Sequence, residues 1–545
     1  MPTRSWRRIP SEHSIRTPTR AIRAPYQNSP FWLKQPWRML LLLLLLFLGS
    51  VLCCAAPVTG RTTSGSAGGL YTFEVTHRFS DKAREELKAR HGDAFLDWPR
   101  QGTPEFHDML FHLDLHRHPG RVLPRGDAAK AKAPPLMASS VGNTTYFNQR
   151  DGLQYTYIEI GTPSQRFYVA LDTGSDLLWL PCAHCVSCAP SVSTLYDTTF
   201  NVYDASNSSS SERVTCSSPY CVDVASACSS STMQCPYHIQ YISPVTTEGY
   251  LVEDVMYLIP QKGGNKTAAD VVFGCGTNQT GEFQTGATVP DGLLGLGMRN
   301  ISVPSILAQA KVMADSFSMC FDYGLGTGRL VLGDRGSPKA YSTPIITHVS
   351  PQFYWVGLSY VLVGGVSVKT MTMAVFDTGT TYTYLATPAY NSVMAVVDQA
   401  ILYKRIASPS EAYDHCYSPP NVENVMLPTI TLRFTGGAKL EILQPYAILA
   451  DHTGNVIAIC LTLVDSKSEY SIIGHNFMVN HSITFDRVKN KITWIQVPSC
   501  SNYRTSFGSM NRVQATWLTV SLSILSSYFL LVETHLDYTR ATRYI

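Results

Sequence analysis

The tetrapeptide Asp-Thr-Gly-Ser/Thr occurs twice in this chain, as Asp172-Thr173-Gly174-Ser175 and as Asp377-Thr378-Gly379-Thr380. Each copy directly follows a short apolar run, Phe167-Tyr168-Val169-Ala170-Leu171 in the first case and Met373-Ala374-Val375-Phe376 in the second. Runs of this length and composition are predicted to be buried strands. Each strand would deliver one carboxylate onto a glycine-containing turn. If the two halves of the chain pack face to face, the aspartates meet at their interface. Like charges that close cannot both ionise easily, so the pair shares one proton. A base and an acid then coexist at one pH, able to activate a water and to protonate a leaving nitrogen without a covalent nucleophile.

A single Asp-Thr-Gly says little, because Asp and Gly are ordinary turn residues. Further elements stand in order around the two copies: Trp179 shortly after the first, then Asp291-Gly292-Leu293-Leu294-Gly295, and finally Ile472-Ile473-Gly474. With these five elements the sequence resembles the pepsin-like aspartic proteases, which are themselves the type case for a proton-sharing aspartate pair. The resemblance implies a mainly β, bilobal pepsin-like fold with the active site between two β lobes. It also implies an aspartic endopeptidase made as a zymogen, acting on polypeptides as a monomer, with no metal and no other cofactor.

Carried over residue by residue, the resemblance makes Asp172 and Asp377 catalytic and gives their neighbours supporting roles. Thr173 and Thr378 would cross-link the two loops beneath the dyad. Ser175 and Thr380 would bond the outer carboxylate oxygens, and Gly174 and Gly379 would let the backbone approach closely. A β-hairpin flap is expected where Cys235-Pro236-Tyr237-His238-Ile239-Gln240-Tyr241 precedes Gly249-Tyr250-Leu251. Tyr241 is the expected flap residue, with Tyr237 as its competitor, and Trp179 either donates its indole N–H to the flap tyrosine or is core. The tip, Ile242-Ser243-Pro244-Val245, departs from the family's Gly-rich polar pattern, and its proline stiffens the hairpin. That departure keeps a catalytically weak or inactive cleft-binding protein of the same fold as the alternative. A two-carboxylate glycosidase is the more distant rival, and the Thr-Gly context of both aspartates argues against it.

The chain has 545 residues and a net charge of +3, with 15% of its residues charged, so there is room for two or three globular units. Lys and Arg are not gathered on any helix face, and nucleic acid is not an expected partner. The basic stretch from Arg4 to Arg38, followed by the apolar run from Met39 to Leu48 and small residues at Ala55 and Ala56, reads as a secretory signal peptide with a long basic start, residues 1–56. A retained signal anchor is the alternative.

Of fourteen cysteines, Cys53 and Cys54 lie beside the signal. The other twelve, Cys182, Cys185, Cys188, Cys216, Cys221, Cys228, Cys235, Cys275, Cys320, Cys416, Cys460 and Cys500, form an even set in an exported chain and imply six disulfides. Cys182, Cys185 and Cys188 have superficially metal-like spacing, but no second pair with finger spacing follows. The cluster from Cys182 to Cys275 resembles the cysteine-rich insert of the nepenthesin-like plant branch. By that resemblance Cys416 pairs with Cys460 and Cys320 with Cys500, while connectivity inside the insert stays open. Asn143, Asn207, Asn265, Asn278, Asn300 and Asn480 head glycosylation sequons.

Residues 57–140 read as a propeptide, with a helical charge pattern from Lys82 to Arg90 and a His/Asp-rich stretch from His107 to His118. His77-Arg78-Phe79-Ser80-Asp81 resembles the start of the prosegment in the plant group called aspartyl protease family protein 1. The expected mode of action is a basic segment lying across an acidic cleft. A separate N-terminal domain is the alternative, and Lys130 to Pro135 is a plausible cleavage region. Residues 141–336 would form the N-terminal lobe and residues 337–500 the C-terminal lobe, with short helices expected at Ser305 to Ala314 and Pro388 to Leu402. In the tail, 501–545, a polar spacer and the apolar run from Trp517 to Val532 resemble a glycolipid-anchor signal, though the polar end departs from it. A short membrane helix and a free tail are the alternatives. The chain is therefore expected in the secretory pathway, extracellular or at the cell surface, with a membrane as a partner through the tail.

Overall fold

The computed structural model describes residues 68–117 apart from 78–79, 84 and 86–98. It also describes residues 154–500 apart from 189–200, 222–227, 243–244, 282, 284–290, 324–326, 351 and 419–424. The expected signal peptide, the cleavage region, the flap-tip residues Ser243 and Pro244, Asn143 and the apolar tail lie outside the described residues.

One local arrangement is built twice. The strand Gln165–Asp172 runs parallel to Leu293–Gly295, with Ala170 opposite Leu293 and Asp172 opposite Gly295, and Trp179 pairs with Leu293 from the other side. In the second half, Val366–Phe376 runs parallel to Ser471–Ile473, with Ala374 opposite Ser471 and Phe376 opposite Ile473, and Tyr384 pairs with Ile472. Each apolar-apolar-Gly element is thus the strand that braces the one delivering an aspartate. The glycines are required by close approach: a Cβ at Gly295 would lie 2.4 Å from the Asp176 carbonyl carbon, and one at Gly474 would lie 2.1 Å from the Tyr382 carbonyl oxygen. Such distances leave no room for a side chain.

The described strands form sheets of fourteen, seven and four strands. The largest joins the two halves. Ser316–Phe321 pairs on one edge with Thr327–Leu332 and on the other with His481–Asp486, which pairs in turn with Lys491–Gln496. Aromatic packing seals this floor, with Phe317 and Phe485 stacked at 4.8 Å and Tyr354 4.6 Å from Phe485. Tyr354 donates its hydroxyl to the Leu296 carbonyl at 2.6 Å, tying the second half to the loop beside the first aspartate.

Arg487 makes the same connection with charge. Its buried guanidinium donates to the carbonyls of Gly297 and Met298 at 3.2 Å each, to Ser302 and Ser305, and pairs with Asp315 at 3.2 Å. Removing it would strand buried acceptors and a carboxylate. Arg487→Met is therefore expected to cost roughly 3 kcal/mol of stability, visible as a drop of several degrees in thermal unfolding. An unchanged melting temperature would show that the contact does not tie the halves together.

The first strand, β1 (Tyr71–His77), lies inside the stretch expected to be a propeptide, yet it is woven into the joining sheet. It pairs with Thr327–Leu332 on one side and with Gln154–Ile160 on the other. Its alternation buries Tyr71, Phe73 and Val75, and Thr76 hydrogen-bonds the Tyr168 hydroxyl at 2.7 Å.

Helices among the described residues include α1 (Pro104–Arg117), α2 (Val303–Gln309) and α3 (Thr387–Ala400). The last two begin one or two residues earlier than expected, because Pro304 and Pro388 sit in the first turn, where proline is accommodated. α2 also ends well before Ala314, where Lys311 adopts a left-handed φ of 59°. Six disulfides are formed among the described residues. Cys416–Cys460 and Cys320–Cys500 are joined by Cys182–Cys275, Cys185–Cys188, Cys216–Cys228 and Cys221–Cys235. The Cys216, Cys221 and Cys228 sulfurs converge because their disulfides are neighbours, and Cys185 and Cys188 bond each other, which leaves no thiolate set for a metal among these residues.

Candidate active site

The two strand ends bring Asp172 and Asp377 to one place, both buried. The turns that hold them are near copies. The Gly174 amide donates to Asp172 Oδ1 at 2.8 Å and the Ser175 hydroxyl to Oδ2 at 2.7 Å. The Gly379 amide donates to Asp377 Oδ1 at 2.9 Å and the Thr380 hydroxyl to Oδ2 at 3.0 Å. The turns are locked to each other by the threonines: the Thr173 amide donates to Thr378 Oγ1 at 3.2 Å, and the Thr378 amide to Thr173 Oγ1 at 3.0 Å. The Thr173 hydroxyl in turn donates to the Phe376 carbonyl at 3.1 Å.

This locking sets the two carboxylates against each other across the glycines. A Cβ on Gly174 would lie 2.9 Å from both oxygens of Asp377, and one on Gly379 would lie 2.5 Å from Asp172 Oδ1. Each triad glycine therefore lies against the opposite carboxylate as well as its own.

The hairpin of Pro236–Ile242 and Val245–Leu258 supplies both tyrosines considered for the flap. They are used differently. Tyr237 is 1% exposed, packs where Cβ atoms on Gly274 and Gly276 would stand, and shares a hydrogen bond with Thr247 at 3.0 Å. Tyr241 stands at a break in the hairpin register and accepts the Trp179 indole N–H at 2.8 Å. Burial, with the charge of Asp172 next, pushes the Tyr241 phenol well above its ordinary range, so it stays protonated. Trp179 is both core and partner: it is fully buried and still bonds Tyr241. Phe283, unmarked in the sequence, packs 4.9 Å from Trp179 and 5.2 Å from Tyr241 and completes this aromatic group.

The largest surprise comes from α1. It touches the hairpin strand Pro236–Ile242 and also the residues immediately after the second triad. Asp114 accepts the amides of Thr381 at 2.7 Å and Tyr382 at 2.8 Å and the Tyr384 hydroxyl at 3.0 Å. Asp108 accepts the Ser410 hydroxyl at 2.6 Å and the Glu411 amide at 2.5 Å. His107 Nδ1 lies 2.7 Å from the Tyr413 hydroxyl and 3.0 Å from that of Tyr382. Phe106 and Leu110 join Tyr382, Tyr384, Tyr413 and Leu449 in one apolar cluster. The contacts described for α1 thus run through two aspartates, a histidine and apolar side chains.

Comparison with known proteins agrees with this geometry. The family models described as xylanase inhibitor N-terminal and C-terminal match residues 155–334 and 353–495. Aspartyl protease family protein 1 of Arabidopsis thaliana is 36% identical over 437 residues, which cover 78% of this chain and 81% of that protein. Aspartic proteinase nepenthesin-2 of Nepenthes gracilis is 27% identical over 387 residues, covering 67% and 82%. Among solved structures, basic 7S globulin from soybean superposes with a TM-score of 0.50 at 17% identity, covering 65% of this chain and 95% of that one. With its doubled bracing strands, its facing aspartates and relatives of this identity and coverage, the chain belongs to the plant branch of the pepsin-like aspartic protease family.

Proposed function

We propose that the chain is an endopeptidase that hydrolyses polypeptides with a water held between Asp172 and Asp377. The observation that carries this reading is the placement of each triad glycine against the opposite carboxylate, which leaves the two carboxylates facing one small site. The ionised aspartate takes a proton from the water as its oxygen attacks the peptide carbonyl, and the protonated one donates to the carbonyl oxygen. The first aspartate then gives its new proton to the amide nitrogen while the second takes one from a hydroxyl of the tetrahedral intermediate, so that the C–N bond breaks, acid and amine leave, and the pair again holds one proton. Ser175 and Thr380 hold the Oδ2 atoms, and the paired threonines fix the separation of the two turns.

Tyr241 and Trp179 serve as the lid. An extended substrate would bond the cleft through its backbone and place alternate side chains in apolar pockets. Tyr241→Phe removes the acceptor of the Trp179 N–H, a bond worth roughly 0.5–1.5 kcal/mol. kcat/KM is therefore expected to fall about 2- to 10-fold while thermal unfolding changes little. Full activity in this variant would remove Tyr241 from the lid.

Residues 57–140 act as the propeptide, and the six disulfides fit an oxidising compartment. The terminal apolar runs act as export signal and membrane anchor. No helix among the described residues is long and apolar enough to cross a membrane. Asn207, Asn265 and Asn300 are exposed and are the expected glycan carriers. Asn278 sits in a strand with its amide donating to Glu248, and Asn480 occupies a left-handed turn and accepts the Tyr323 amide at 2.9 Å. Glycopeptide mapping is expected to find Asn278 unmodified.

The proposed activity is tested with a peptide library read by mass spectrometry. Internal cuts flanked by apolar residues support it. Trimming from the ends, or no cuts once residues up to about 140 have been removed, would overturn it.

A further inference from the structure

The contacts of Asp114 carry an inference that rests on the endopeptidase reading and deepens it. The amides of Thr381 and Tyr382 and the hydroxyl of Tyr384 are three donors aimed at one fully enclosed point. Thr381 directly follows Thr380, the residue that bonds Asp377. Buried backbone donors do not stay unpaired, since each costs about 1–3 kcal/mol when stranded. A carboxylate is the acceptor best matched to several converging donors, having two oxygens and no proton of its own to place.

We infer that these three donors form a carboxylate seat at the edge of the catalytic loop, and that Asp114 fills it to hold α1 across the cleft while the chain is latent. The latch acts on the cleft wall next to the dyad. Asp108 on Ser410 and Glu411 is its second point of attachment, and Phe106 and Leu110 supply its apolar face. While Asp114 occupies the two amides, an extended peptide cannot use them.

Buried groups on the helix respond to pH in opposite senses. Burial lowers His107 to about 4, so between pH 6.5 and 4 the proton binds only after the helix leaves, and acid loosens the latch. Burial raises Asp114 to about 6, against the pull of the Tyr382 and Thr381 amides, so over nearly the same range the proton binds while the helix is seated and acid tightens it. Asp108 is raised by burial too and acts in the same sense as Asp114. The phenols facing these groups, Tyr382, Tyr384 and Tyr413, are pushed up by burial and stay neutral. Glu411 borders Asp108, and Glu105 lies 3.7 Å from His452 at the exposed start of the helix. Two of these three groups thus tighten the seat in acid and one loosens it.

Two readouts on the full-length, unprocessed chain test the seat. Hydrogen exchange in the segment 378–385 is expected to rise at least tenfold in Asp114→Ala, with a smaller rise in the isosteric Asp114→Asn. Cleavage of a reporter peptide by the unprocessed chain is expected to rise at least tenfold in the same variants. Unchanged exchange in a folded Asp114→Asn or Asp114→Ala chain overturns the seat. Exchange that rises in a chain still silent until it is processed overturns the latch. Exchange that rises in a chain silent even after processing supports the seat and overturns the endopeptidase reading instead.

Discussion

Alanine at Gly379 is expected to reduce turnover at least a hundredfold in a chain that still folds. The added Cβ would lie 2.5 Å from Asp172 Oδ1 and 3.0 Å from its Cγ, so one of the two must move. The atoms in the way belong to a carboxylate fixed by the Gly174 amide and the Ser175 hydroxyl, and it can yield only by leaving those bonds. Misplacing a reacting group by about 1 Å costs on the order of 10²-fold in rate. Gly174→Ala presses in the same way on Asp377, at 2.9 Å from both oxygens, and is expected to act similarly. Steady-state kinetics beside thermal unfolding separates the cases: lost kcat with a retained transition supports the geometry, and normal kcat in either variant contradicts it.

The second large effect belongs to the aspartates. Asp172→Asn or Asp377→Asn keeps the shape and most hydrogen-bonding capacity of the side chain but removes the exchangeable proton. The variant is left with one carboxyl group, which cannot take a proton from water and give one to the carbonyl oxygen in the same step. Each role is worth roughly 10²–10⁴ in rate, so a loss of more than about 10³-fold is expected from either single substitution. Because the pair acts as a unit, the double variant is expected to be little worse than either single one. Stability should hold or rise, since one of two facing buried carboxylates becomes neutral. Equal and modest losses that multiply in the double variant would mean that the two groups act independently.

How much of this was legible in the sequence depends on the kind of contact. The dyad turns, Trp179 and the bracing strands can be read because each demands particular residue types within a few positions: a carboxylate, a hydroxyl, a glycine where backbones touch. Tyr241 and Tyr237 could not be separated by type. What distinguishes them is the slot beside Gly274 and Gly276 that accepts Tyr237, a contact between residues far apart in the chain. The pairing within the cysteine-rich insert was open for a similar reason, since spacing alone does not select among connectivities.

The seat of Asp114 was not legible at all. Its donors are mainly backbone amides, which carry no residue signature, and the His/Asp-rich stretch from His107 to His118 reads only as part of a propeptide. β1 shows a strand-like alternation in Tyr71-Thr72-Phe73-Glu74-Val75, yet it lies in a stretch whose charged residues read as a detachable segment. Only the register with Thr327–Leu332 and Gln154–Ile160 reveals that this stretch also completes the sheet joining the halves.

The measurement that bears most directly on the account is cleavage of a denatured protein between pH 3 and 6 by the chain after verified removal of residues up to about 140, with and without pepstatin. Internal cleavage that pepstatin abolishes is the expected result. A substrate left intact, or cleavage indifferent to pepstatin, would contradict a water activated between Asp172 and Asp377.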